Sequence, residues 1–165
     1  MTPSEYLSRI PLVCSETRRL SKFWRGFGEK EWTTPTFCPG WAAQDAVAHI
    51  TTGADFYAHS IRRAAEGLPP EPPYGADAKE FQAIRKEKGD KLMAGPRSAL
   101  MDAFDASAAN VCAALDAVRE SDLGKLGWHP RGLTPVDACI GLRLVEIVIH
   151  DWDIRHGFDT NGRPT

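Results

Sequence analysis

Residues 43–61 read AQDAVAHITTGADFYAHSI. Ala43, Val47, Ile50, Ala54, Tyr57 and Ile61 step through this stretch by 4, 3, 4, 3 and 4. That rhythm places all six on one face of an α-helix, whereas a half-buried strand would alternate. The same stepping recurs twice. Tyr6, Ile10, Val13, Thr17, Leu20, Trp24 and Phe27 form one seam, and Leu100, Phe104, Ala108, Val111, Leu115 and Val118 form another. Seams of this width pack helices against one another.

A fourth helix is expected from about Pro135 to His156, with Thr134 as N-cap, Asp137 in the first turn and Gly157 as the stop. Pro11 either kinks the first helix or opens one that starts there. GLPPEPPYG at 67–75 reads only as a loop, and residues 77–93 read as a shorter helix broken off by Gly95-Pro96. No strand pattern lasts more than a few residues. The expectation is an all-α four-helix bundle, with a long crossover over residues 67–95 that holds the short extra helix. Such a crossover allows a topology other than simple up-and-down.

Composition narrows the partners. The chain has 165 residues, 20 basic and 22 acidic, for a net charge of −2. One domain over residues 1–165 is expected, and neither nucleic acid nor an anionic membrane is favoured as a partner. No apolar run reaches the roughly 18 residues of a membrane span. MTPSEYLSRI at the N-terminus lacks a charged-then-apolar signal pattern, so a cytoplasmic location is expected. Cys14, Cys38, Cys112 and Cys139 form no CxxC pair. They read as reduced, mostly buried thiols.

The last helix carries the chemistry. In GLRLVEIVIHDWDI, residues 141–154, Arg143, Glu146, His150 and Asp153 are spaced 3, 4 and 3. They fall within an arc of about 80° on an otherwise apolar helix. A surface helix has a wider polar arc, so the stripe is expected to be buried and to need partners. Asp151 and Arg155 make a second polar side near the helix end, as an ordinary solvated face would. Glu146 and His150, four apart, can reach one metal ion. His49, beside the seam of the second helix, is the best third ligand, giving a His2Glu set with an open fourth position. His59, His129 and His156 fit less well by position. Asp45, one turn before His49, could orient its imidazole.

TFCPGWAAQDAVAHI at 36–50, followed by RLVEIVIHDWDI at 143–154, resembles the N-terminal domain of the mycothiol-dependent maleylpyruvate isomerase family, in the DinB/YfiT-like superfamily. The resemblance spans essentially the whole chain. It implies a DinB-like four-helix bundle with a divalent metal, zinc first, on His49, Glu146 and His150. It also implies mycothiol or another low-molecular-weight thiol as cosubstrate. The metal would lower the pKa of that thiol, and the thiolate would attack a small electrophilic metabolite, giving isomerisation or S-transfer. Actinobacteria are the implied setting. Arg143 and Asp153 would support the ligands or bind substrate. The isomerase also carries a C-terminal domain, which is expected to be absent from this chain. A hydrolase or lyase on the same triad, a non-catalytic small-molecule binding or resistance protein, and a bundle whose triad is structural stay open. The exposed faces of such a bundle admit a homodimer.

Overall fold

The computed structural model describes residues 2–158. Four long helices form the bundle: α2 (Arg9–Trp24), α4 (Ala43–Glu66), α6 (Arg97–Asp116) and α7 (Val136–Phe158). Short helices α1 (Pro3–Leu7) and α3 (Glu29–Thr33) flank α2, and α5 (Ala78–Ala94) lies in the crossover. A 3₁₀ turn at Glu120–Asp122 precedes a two-residue antiparallel pair, β1 (Leu126–Gly127) with β2 (Thr134–Pro135). This is the expected all-α bundle with its helical crossover. No described helix is long and apolar enough to cross a membrane.

The seams become the core. Ala43, Val47, Ile50, Ala54, Tyr57 and Ile61 are all buried, as are Val13, Leu20, Trp24, Leu100, Phe104, Val111 and Leu115. Burying each of the large apolar side chains contributes about 1.5–3 kcal/mol. Trp24 and Phe104 meet edge to face at 5.1 Å and join α2 to α6.

Pair contacts set the helix directions. Arg9 reaches Gly141 and Arg19 reaches Asp151, so α2 and α7 run parallel. Cys14 meets Cys112 while Arg25 meets Asp102, so α2 and α6 are antiparallel. His49 faces Glu146 while Ile50 faces Arg143 on the preceding turn, so α4 opposes α7. The order is up, down, down, up. Two successive helices pointing the same way require the long crossover, and α5 spans it.

Several sequence expectations shift. The first helix is two, broken at Ser8, and Pro11 sits in the first turn of α2, where its missing N–H costs nothing. Helix α7 starts at Val136. Thr134 donates to the Gly132 carbonyl instead of capping. The first amides of α7 are taken by Lys125 and Leu123 carbonyls, so the preceding loop does the capping. Gly157 does not stop α7, which includes it and reaches Phe158. The expected reduced state of all four thiols is also corrected. Cys14 and Cys112, 98 residues apart, form a disulfide between α2 and α6, a juxtaposition that sequence spacing does not show. Finally, α7 is not buried all round. Val145, Val148 and Ile149 are 58%, 47% and 49% exposed on its outer face.

Candidate metal centre

The site begins with a turn. Pro39 and Gly40 occupy the two central positions between Cys38 and Trp41, the Trp41 amide donates to the Cys38 carbonyl at 3.1 Å, and Gly40 has φ 80°. These are the requirements of a type II turn, which needs glycine at its third residue. The turn is pinned to α7 by the Phe37 amide, which donates to the Asp153 carbonyl at 3.0 Å. It delivers Trp41 beside two imidazoles. The Trp41 ring lies 4.9 Å from that of His49 and stacks at 5.6 Å on that of His150.

His49 from α4 and Glu146 and His150 from α7 converge there. His49 Nε2 is 3.1 Å from Glu146 Oε2, and His150 Nε2 is 3.8 Å from the same oxygen. The three donor atoms all lie within 4.8 Å of one another. Ligands about 2.1 Å from a tetrahedral ion stand about 3.4 Å apart, so the observed separations bracket what such an ion needs. Burial pulls the His49 imidazole below its ordinary pKa, against the pull of Glu146. The hydrogen bond from His49 then holds the Glu146 carboxyl at about 2. A neutral ring beside an ionised carboxylate is the protonation state that metal ligation requires.

The other nitrogen of His150 is also held. Nδ1 is 2.9 Å from Asp153 Oδ2, which fixes the ring and leaves Nε2 facing the cluster. Cys38 Sγ donates to the same oxygen at 3.1 Å. Cys38, His150 and Asp153 form a second close group. Its thiol is pushed up to about 11 by burial and the Asp153 carboxylate, so at neutral pH it is a hydrogen-bond donor.

Two other expected helpers fall elsewhere. Asp45 does not orient His49; its carboxylate accepts from the Ala42 amide at 2.9 Å and closes the start of α4. Arg143 is 1% exposed, packed beneath the cluster, and donates from Nη1 to the Ile50 carbonyl at 3.1 Å. Its Nε and Nη2 are buried without a partner, and burial lowers its pKa to about 10. Of the remaining histidines, His129 packs on Phe56, and His156 stacks on Trp152.

A cavity of about 480 Å³ opens beside His49, between α4, α5 and the turn, with Trp41, Thr52, Gln82, Arg85 and Met93 among its walls. Sequence reading misses Arg85 and the link from Cys38 to Asp153, and it takes Trp41 as an anchor for the start of the second helix without placing it on the imidazoles. Trp41 had a signal in the PGW turn. Arg85 sits in a crossover helix with no motif.

A family model described as the mycothiol maleylpyruvate isomerase N-terminal domain matches residues 13–155. A crystal structure of the mycothiol-dependent maleylpyruvate isomerase superposes with a TM-score of 0.76 at 19% identity, covering 93% of this chain and 61% of that one. A histidine-to-alanine mutant of the same enzyme gives the same figures. The chain thus spans 61% of the length of these solved relatives, and at this identity the likeness is one of fold. No curated protein matches the chain.

Proposed function

The chain belongs to the mycothiol maleylpyruvate isomerase N-terminal domain family, and from that premise we propose a metal-dependent, thiol-using transferase or isomerase for small electrophiles. His49, Glu146 and His150 would hold one divalent ion, zinc before other metals on donor type. Such an ion supplies Lewis acidity that brings the pKa of a bound thiol toward neutrality. The observation that carries the reading is the convergence of three donor atoms from two helices, with the far nitrogen of His150 already held by Asp153.

The residues divide the work. Asp153 keeps His150 in one tautomer and one orientation. Trp41 covers both imidazoles on one side and limits water there. The hydrogen on His49 Nε2, shared with Glu146, is what a metal would replace. The thiol would come from outside. Cys38 and Cys139 are pushed up to about 11 and about 12, and Cys14 and Cys112 are bonded to each other, so the chain offers no ready thiolate of its own. Mycothiol, the cosubstrate in the name of the related isomerase, is the first candidate.

The test combines metal analysis with turnover. Protein loaded with zinc should retain about one ion per chain, and His49→Ala should retain none. Conversion of a panel of small electrophiles should require both zinc and mycothiol. Zinc-dependent turnover without any thiol would replace this reading with a hydrolase or lyase. A chain that keeps no metal after zinc loading would end it.

A further inference from the structure

The face where α2 meets α6 carries a groove that the proposed metal centre does not use. Its volume is about 530 Å³, and both halves of the Cys14–Cys112 disulfide line it. Cys14 is 6% exposed, whereas Cys112 is only half-buried. The bond therefore offers one of its sulfurs to a reactant far more than the other.

The charges around it are uneven. Cys14, Arg18 and Lys22 follow one another at intervals of four on a single face of α2. Arg25 extends the row, but Asp102 and Asp105 already match it at 2.7 and 2.6 Å. Among the described residues Arg18 and Lys22 pair with no carboxylate. On the α6 side, Ala108 and Ala109 stand one turn before Cys112 and are too short to cover it.

A disulfide sealed in an apolar core resists exchange, because a thiolate cannot follow it out of water. This one lies open, beside positive charge that nothing in the described chain neutralises. Such charge draws anions and favours thiolate over thiol. Two unmatched cations also suit a reactant with a second negative group beside its sulfur.

We propose that this groove is a thiol-exchange site, that Cys112 Sγ is the sulfur attacked, and that the reactant is a small thiol bearing a carboxylate. The incoming thiolate bonds to Cys112 as the Cys14–Cys112 bond breaks. Cys14 leaves as a thiolate one turn from Arg18 and takes a proton from water. A second thiolate then attacks the sulfur of the first reactant, and Cys112 leaves and is protonated. Two thiols become one small disulfide, and the protein gains two electrons and two protons. Completed exchange removes the covalent link between α2 and α6. The groove shares no residue with the three-donor cluster, so the proposal stands apart from the metal reading.

Exchange kinetics on the whole folded chain test this. Anionic mercaptopropionate, neutral mercaptoethanol and cationic cysteamine are compared at equal thiolate concentration. Each rate is divided by the rate of the same thiol on hydroxyethyl disulfide, which removes intrinsic differences in nucleophilicity. Mass spectrometry after acid quenching follows the loss of the bond and locates the adduct. The adduct should sit on Cys112, and mercaptopropionate should lead cysteamine about tenfold at low salt. Arg18→Gln combined with Lys22→Gln, both exposed positions, should bring the two thiols within about twofold, and so should about 0.5 M salt. Cys14 and Cys112 found unbonded in protein kept without reductant would overturn the proposal. So would a bond that resists all three thiols until the chain unfolds, or an adduct on Cys14. A rate order that ignores charge, or that survives the double substitution, would overturn it as well.

Discussion

Asp151 and Glu146 stand five residues apart on α7 and have opposite fates. Asp151 turns toward α2, where Arg19 meets it at 2.8 Å and Arg155 at 2.9 Å. That carboxylate thus has two guanidinium partners. Glu146 turns toward α4, and among the described residues it lies within bonding distance of two imidazoles, His49 of α4 and His150 of α7, and of no Lys or Arg side chain. Both sides are polar and both are mostly shielded from water. Their difference lies in what the charges still lack. One side is complete as a piece of structure, and the other is where the proposed cation would sit.

Breaking each side should therefore cost different things. The largest effect is expected on the α4 side. Glu146→Ala should abolish zinc retention and lower thiol-dependent turnover at least a hundredfold, and it should also lower the melting point of the metal-free chain because the His49 bond to the ionised carboxylate is lost. Metal analysis and a melting curve on the same sample would show both. A variant that keeps its zinc would erase the contrast.

Asp153→Asn comes next. It preserves shape but weakens the hold on His150 Nδ1, and outer partners of this kind are worth about 10–100-fold in metal affinity. A chelator competition measures it, and unchanged affinity would reduce Asp153 to a support of the Cys38 turn.

Asp151→Ala should do the reverse. It leaves Arg19 with Glu16 and Arg155 on the Phe23 ring, both partly exposed, so the cost is about 1 kcal/mol of stability. Zinc affinity should stay within twofold. Denaturant unfolding beside a zinc titration reads both numbers.

The smallest effect is one of pH. In the metal-free chain His49 is held below its ordinary value of 6.5, so the fold favours the neutral ring. That contribution is present above pH 6.5 and is lost as pH falls below it. Glu146, depressed from 4.5 to about 2, adds a second loss as pH falls below 4.5. The melting temperature of metal-free protein should decline through this acid range, and His49→Gln should flatten the upper part. A decline of the same size in that variant would locate the titration elsewhere.

Much of this molecule is legible in its sequence, for a physical reason. Apolar spacing on Ala43, Val47, Ile50, Ala54, Tyr57 and Ile61 records burial directly, and those positions are buried. The 3, 4, 3 stripe on α7 is likewise a local property, and local periodicity is what a chain can show. What it hides is pairing between distant segments. Asp45 and Asp153 look alike as neighbours of a histidine, yet one caps a helix and the other holds a ring. Arg143 looks like part of the site and is packed under it. Cys14 finds Cys112 only once α2 and α6 lie side by side. The close approach of Arg85 to Gly53 likewise shows only in the fold, because Arg85 arrives from the crossover.

The up, down, down, up order has a consequence for how such a protein can change. Because α4 and α6 run the same way, a segment must travel the length of the bundle between them, and α5 is that segment. It supplies Arg85, Gln82 and Met93 to the cavity but no donor to the converging cluster. Under the proposed function, reactive centre and selectivity wall are thus encoded in separate stretches of chain, and substitutions in α5 would alter the wall while leaving the donors on α4 and α7 in place.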